Sequence, residues 1–191
     1  MIVAGLDLGQ SVDHAALVVG AAGSNPLAVK IGMIHQYPVK TSYAAVIPDV
    51  VKRLSAIGEP AILAVDARGP GKPVIDMLAV WPSLRLGKLM AVSNTSSERA
   101  KQEAPRQGDP AHLVRWTVPK AMLLGSIVRL LKLDRLSVGQ IPEADLLKRQ
   151  FEAFGYKFSK AGNLKLEART GHDDLILALA LCIWAALMSE K

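Results

Sequence analysis

The sequence predicts an α/β fold with a mixed central sheet of about five strands, three antiparallel and then parallel, flanked by helices and carrying a β-hairpin near the C-terminus. Three observations point that way. Short apolar segments separated by short turns fill the first third of the chain. Apolar runs at helical spacing then alternate with strands. Residues 61–66 form a near-continuous apolar run of the kind buried on both faces of a sheet.

Residues 2–8 are apolar and end in an acid, and 15–20 form a second, valine-rich strand. The small and turn-forming residues 21–26 lead into a third strand over 28–37. Connections this short between neighbouring strands imply antiparallel hairpins. Residues 43–57 place Val46, Ile47, Val50, Val51 and Leu54 on one helical face and end at Gly58, a suitable helix terminator. A strand over 61–66, a short helix over 73–80 and a fifth strand over 84–92 follow. The polar stretch 93–112 reads as a long loop. Helices are expected over 119–133, opened by proline, and over 143–154. A hairpin over 156–167 and a final helix over 172–188 complete the chain. Helical crossovers after the hairpins place the fourth strand parallel to the first. This is the RNase H-like order, and pattern alone leaves it one of several α/β options.

The 191 residues suit one domain spanning 1–191, with half of them hydrophobic and only 5% aromatic. The longest apolar run, 175–188, falls short of the roughly 20 residues that span a bilayer, so no membrane association is expected. No basic leader precedes the first strand, and the one cysteine, Cys182, lies in an apolar run. A cytoplasmic protein (host cytoplasm if phage-encoded) is expected, with neither a disulfide framework nor a thiolate metal site. The net charge of +6 favours a polyanionic partner, and the low aromatic content argues for duplex backbone contact over stacking on single strands.

Asp7 closes the first strand and Asp66 the fourth, and His172-Asp173-Asp174 opens the last helix. An aspartate at the end of an apolar strand is badly placed for burial unless paired, hydrogen-bonded or bound to metal. Each element also has an ordinary account: strand-end acids form turns, and acids at a helix start cap it and gain from the dipole. Their combination is what matters. Neighbouring strands lie about 4.8 Å apart, so Asp7 and Asp66 would share a site, with the helix-start acids converging on it. Hard oxygen ligands suit Mg²⁺ or Mn²⁺, and two such ions about 4 Å apart support in-line phosphodiester displacement.

Several segments together resemble the C-terminal nuclease domain of phage terminase large subunits. They are Gly5-Leu6-Asp7-Leu8-Gly9 with a following Asp13, Val65-Asp66 with Gly69-Pro70-Gly71, Trp116-Thr117-Val118-Pro119-Lys120, and Gly171-His172-Asp173-Asp174 with the apolar helix after it. The likeness covers nearly the whole chain in order, and the histidine-aspartate-aspartate segment is its most specific part. The resemblance implies an RNase H-like fold and two-metal cleavage of double-stranded DNA during genome packaging. It makes Asp7, Asp66, Asp173 and Asp174 catalytic metal ligands, His172 a supporting group and Lys120 a phosphate contact. A packaging ATPase domain, the small terminase subunit and the portal are the partners it implies. The sequence has no GxxxxGK[ST] motif, and Gly69-Pro70-Gly71-Lys72-Pro73 lacks its spacing and hydroxyl residue. An excised nuclease domain and a stand-alone relative both fit.

Arg68, Lys72, Arg99, Lys101, Arg106 and Arg115 are candidate DNA contacts from segments around the site. Two alternatives keep the same fold: a Holliday-junction resolvase, and a non-catalytic module that binds DNA or a protein partner. A phosphotransferase suggested by Asp7-Leu8-Gly9 would need a second, duplicated domain for which the chain is too short.

Overall fold

The computed structural model describes residues 1–9, 13–69, 71–81, 84–158, 164–168 and 173–189, with 155–158 and 164–168 described as backbone. The chain opens with β1 (Ile2–Asp7), β2 (Ala16–Ser24) and β3 (Leu27–Gln36), paired antiparallel in that order. The second strand runs past its expected end at Gly20. The small residues from Ala21 to Ser24 look like turn formers, yet their backbone groups stay in register with β3. Asn25 and Pro26 alone make the turn.

Next come α1 (Tyr43–Ser55), β4 (Ala61–Asp66), α2 (Gly71–Ala79), β5 (Leu86–Thr95), β6 (Lys101–Gln102) and β7 (Leu113–Pro119). Then follow α3 (Lys120–Lys132), β8 (Leu136–Val138), α4 (Ala144–Ala153), β9 (Phe154–Phe158), β10 (Leu164–Ala168) and α5 (Asp174–Leu187). The main sheet has the order β6-β7-β5-β4-β1-β2-β3-β8. Its centre, β3-β2-β1-β4-β5, is the mixed sheet that the sequence predicts, with β1, β4 and β5 parallel. The expected hairpin near the C-terminus is the antiparallel pair of β9 and β10.

The sheet is wider than expected. β7 extends it parallel to β5, and β6 pairs antiparallel with β7, so the stretch 93–112 is not wholly a loop. β7 escapes detection because Arg115 and Thr117 interrupt its apolar pattern and Pro119 reads as a helix opener. β8 adds only Leu136–Val138 to the other edge, parallel to β3.

Two cores lie on opposite faces of the sheet. One, beneath α1 and α2, gathers Ala4, Leu6, Leu63, Val65, Val50 and Ile75. The other, beneath α3, α4 and α5, gathers Val3, Val18, Ala64, Met90, Leu123 and most of α5. α5 is apolar around its whole circumference because it is enclosed by the sheet below and by α3 and α4 beside it. Gly5 sets how closely α5 approaches β1. A Cβ there would strike the backbone oxygen of Ala178 and the backbone nitrogen of Cys182. The Cys182 thiol donates to the Val3 carbonyl at 3.4 Å, and burial pushes its pKa up to about 12. No described helix is long and apolar enough to cross a membrane.

Gly125, by contrast, sits in the interior of α3, is exposed, and has open space where a Cβ would go. Gly125→Ala is therefore expected to stabilise the fold by about 1 kcal/mol, raising Tm by roughly 3 °C in a thermal melt.

Candidate functional site

Strand alternation decides where the acids point. Along β1, Ala4 and Leu6 enter the α1 side while Val3 enters the α5 side, so Asp7 follows Val3 and Gly5 toward α5. Asp66 follows Ala64 to the same face, and Asn94 follows Met90 and Val92. Because Leu6 is level with Val65, Asp7 and Asp66 end adjacent parallel strands side by side. Asp7 is also level with Ala16, and Ala16 with Gln36. Gln36, Ala16, Asp7 and Asp66 thus form a row across four strands, and the N-terminus of α5 lies above it. β7 runs parallel to β5, which brings Lys120, the residue after β7, to the same end of the sheet.

The carboxylates are buried to different degrees and held by different partners. Asp7 is 8% exposed, and among the described residues no hydrogen bond reaches its carboxylate. Its pKa is raised well above the usual aspartate range, chiefly by burial and then by the charges of Asp66, Asp174 and Asp173, with Arg68 opposing. Asp66 is 6% exposed and accepts from Arg68 Nη2 at 2.9 Å, Arg68 backbone N at 3.0 Å and Asn94 Nδ2 at 3.4 Å. Asp174, 2% exposed, accepts from Gln36 Nε2 at 2.9 Å. Asp173, the residue before α5, accepts from Lys120 Nζ at 3.1 Å. Gly71 opens α2 tight against β4, and a Cβ there would strike the Asp66 carbonyl oxygen.

These groups border a cleft of about 280 Å³, lined also by Leu8, Gly9, Asp13 and Leu177. A hollow of about 770 Å³ lies elsewhere, between the C-terminal parts of α3 and α5, and contains none of the acids. Among the described residues, no three acid, histidine or cysteine side chains already form a ready-made ion cage. Asp66 is instead held by Arg68 and Asn94, Asp173 by Lys120 and Asp174 by Gln36. Five carboxylates border one cleft, one of them, Asp7, buried without a hydrogen-bond donor among the described residues, and the cations Arg68 and Lys120 sit against them. That donor set suits a hard divalent cation.

The sequence reading missed Gln36 and Asn94, and it did not assign Asp13 to the site. Asn94 carried a usable signal, since it continues the alternation of β5 past the point where the strand was expected to stop. Gln36 did not, because its relation to Asp174 depends on the register of β2 and β3. His172 lies outside the described residues. Arg68 lines the cleft, and Lys72, Arg99 and Lys101 are exposed on α2, in the segment after β5 and on β6. Arg106 is exposed and pairs with Glu103 at 3.2 Å.

Arg115 does not fit its expected role as a DNA contact. It is 7% exposed and turned into the protein, where it makes two hydrogen bonds to Asp109, at 2.9 and 2.7 Å. β7's alternation puts its side chain on the α1 and α2 side of the sheet, level with Leu113 and away from Trp116 and Val118. The pair holds the Asp109 carboxyl at about 2, mainly through its hydrogen bonds from Arg115. Stability from this pair is therefore complete above the ordinary aspartate pKa and is lost as pH falls toward 2. Arg115→Met is expected to cost about 2 kcal/mol near neutral pH, and denaturant melts should show that cost shrinking as pH drops from 4 toward 2.

No protein-family model matches the chain, and neither does any curated protein. Solved structures do match. The nuclease domain of the large terminase of bacterial virus Sf6 superposes with a TM-score of 0.65 at 13% identity, covering 95% of this chain and 87% of that one. The nuclease domain of the bacteriophage SPP1 large terminase, solved with bound manganese, gives 0.58 at 18% identity, covering 96% and 85%. The human cytomegalovirus terminase nuclease domain, soaked in manganese with an inhibitor bound, gives 0.63 at 12% identity, covering 98% and 82%. The chain has the RNase H-like fold shared by the nuclease domains of viral large terminases.

Proposed function

We propose that the chain is a divalent-metal-dependent endonuclease that cleaves double-stranded DNA by two-metal phosphodiester hydrolysis, as in viral genome packaging. The observation that carries this reading is the row formed by Asp7 and Asp66 beneath the acids of α5, in a fold shared with nuclease domains solved with manganese. Asp7, Asp66, Asp173 and Asp174 would hold the ions, and Asp7 is central among them. Mg²⁺ or Mn²⁺ bound there supplies activation of a water and neutralisation of charge on the leaving oxygen.

The chain's own residues do the rest. Asn94 and the Arg68 backbone orient Asp66, and Gln36 orients Asp174. Arg68 and Lys120 provide positive charge at the cleft, where a DNA phosphate would otherwise meet only carboxylates. Lys72, Arg99 and Lys101 are exposed and would extend a phosphate-binding surface from it. The packaging ATPase domain, small terminase subunit and portal remain the partners that this reading implies.

The test is supercoiled plasmid incubated with the chain and Mn²⁺ or Mg²⁺. Nicked and linear products are expected with metal and none with EDTA. Intact plasmid in both metals, at low salt and with folded protein, removes the reading.

A further inference from the structure

We propose that Gln150 is a positioning residue of this site: it caps α5 in place of Asp173 and so leaves the Asp173 carboxylate available to a cation. The inference rests on the metal-site reading above, but its first test does not. An aspartate directly before a helix ordinarily turns its side chain back to the N–H of the second or third helical residue. Asp173 occupies that position before α5 and makes no such hydrogen bond. Its carboxylate faces Lys120 instead, 3.1 Å away.

The N–H that Asp173 would cap at the second helical position belongs to Leu175, and it donates to Gln150 Oε1 at 3.0 Å. Gln150 reaches it from α4, where it is 7% exposed, deeply buried for a glutamine. The amide orientation is fixed by chemistry, because the Leu175 N–H needs an acceptor and only the glutamine oxygen is one. An amide is suited to this duty. It satisfies the helix end without adding a further negative charge beside Asp7, Asp66, Asp173 and Asp174. Without Gln150 the Leu175 N–H loses its acceptor, Asp173 stands at the position that ordinarily supplies one, and capping would draw its carboxylate away from the cleft.

A double-mutant cycle in EDTA tests the capping claim. Asp173→Ala alone should shift Tm by less than about 1 °C, since no cap is lost and the loss of its partly exposed ion pair with Lys120 is offset by removal of one crowded charge. In a Gln150→Leu background the same substitution should lower Tm by about 3 °C, because Asp173 now caps. An equal loss in both backgrounds would show Asp173 already capping and overturn the proposal, as would no loss in either. If Gln150→Leu does not fold, amide exchange decides: the Leu175 N–H should stay protected in Asp173→Ala, and loss of protection refutes the idea. A second readout separates positioning from mere support. With Gln150→Leu the Mn²⁺ concentration for half-maximal plasmid cleavage should rise about tenfold while the rate at saturating Mn²⁺ changes little. A fall in the saturating rate with unchanged metal dependence would count against positioning. Absence of cleavage by the wild type would remove the nuclease reading, and the EDTA cycle would still decide whether Gln150 caps α5.

Discussion

Asp7→Asn is expected to abolish metal-dependent DNA cleavage while making the metal-free protein more stable. The loss should reach about 10³-fold, on the order of 4 kcal/mol of barrier, because Asp7 is the central carboxylate of the row and an amide is a far weaker ligand for a hard cation. The gain in stability follows from the same burial. The folded chain holds a proton on Asp7 more tightly than the unfolded chain does, since burial and three neighbouring acids raise its pKa. Stability therefore falls as pH rises from the ordinary aspartate range through that raised value. Asparagine carries no charge to lose, so the variant should show no such decline and should melt about 3 °C or more above wild type at neutral pH in EDTA. Mn²⁺ should raise the Tm of wild type and have much less effect on the variant. Equal cleavage by the two proteins, or a lower Tm for the variant in EDTA, would contradict this account of Asp7.

Gly5→Val is expected to be the most damaging single change to the fold. A side chain at Gly5 meets the backbone of α5 at Ala178 and Cys182, which cannot step aside as a flexible side chain could. Relief requires α5 to lift from β1, and α5 fills much of one core. A loss of about 4 kcal/mol, or a drop of roughly 10 °C in Tm, is expected. Because Asp174 begins that helix, activity should fall even at temperatures where the variant stays folded. Chemical denaturation of Gly5→Val beside Gly125→Ala checks the argument. The two glycines should respond with opposite sign, one packed against backbone and the other facing open space.

How much could be read from the sequence depended on whether the signal was local. β4 was legible to the residue, because an apolar run closed by an acid and preceded by proline marks both of its ends. α5 was legible from its unbroken apolar content. The acids were legible as element ends, and the parallel relation of β1 and β4 followed from the crossover between them. β7 was not legible, since its strand character comes from pairing with β5 and β6 on either side. Arg115 was misjudged for a related reason. Its charge is visible in sequence, but the carboxylate that absorbs it, Asp109, becomes a partner only once β7 forms. Gln36 and Gln150 lie furthest from sequence inference. Each matters through one hydrogen bond to α5, and neither residue type nor spacing announces it.

The single thiol, carried by α5 on the side that faces β1, turns the contact between that helix and that strand into something that can be timed. Cys182 is fully enclosed and almost wholly protonated at neutral pH, so alkylating reagents reach it only when the helix separates from the strand. The rate of its modification therefore clocks the opening of the contact that keeps Asp174 near Asp7. Comparing that clock with and without Mn²⁺ would show whether cation binding keeps the helix shut.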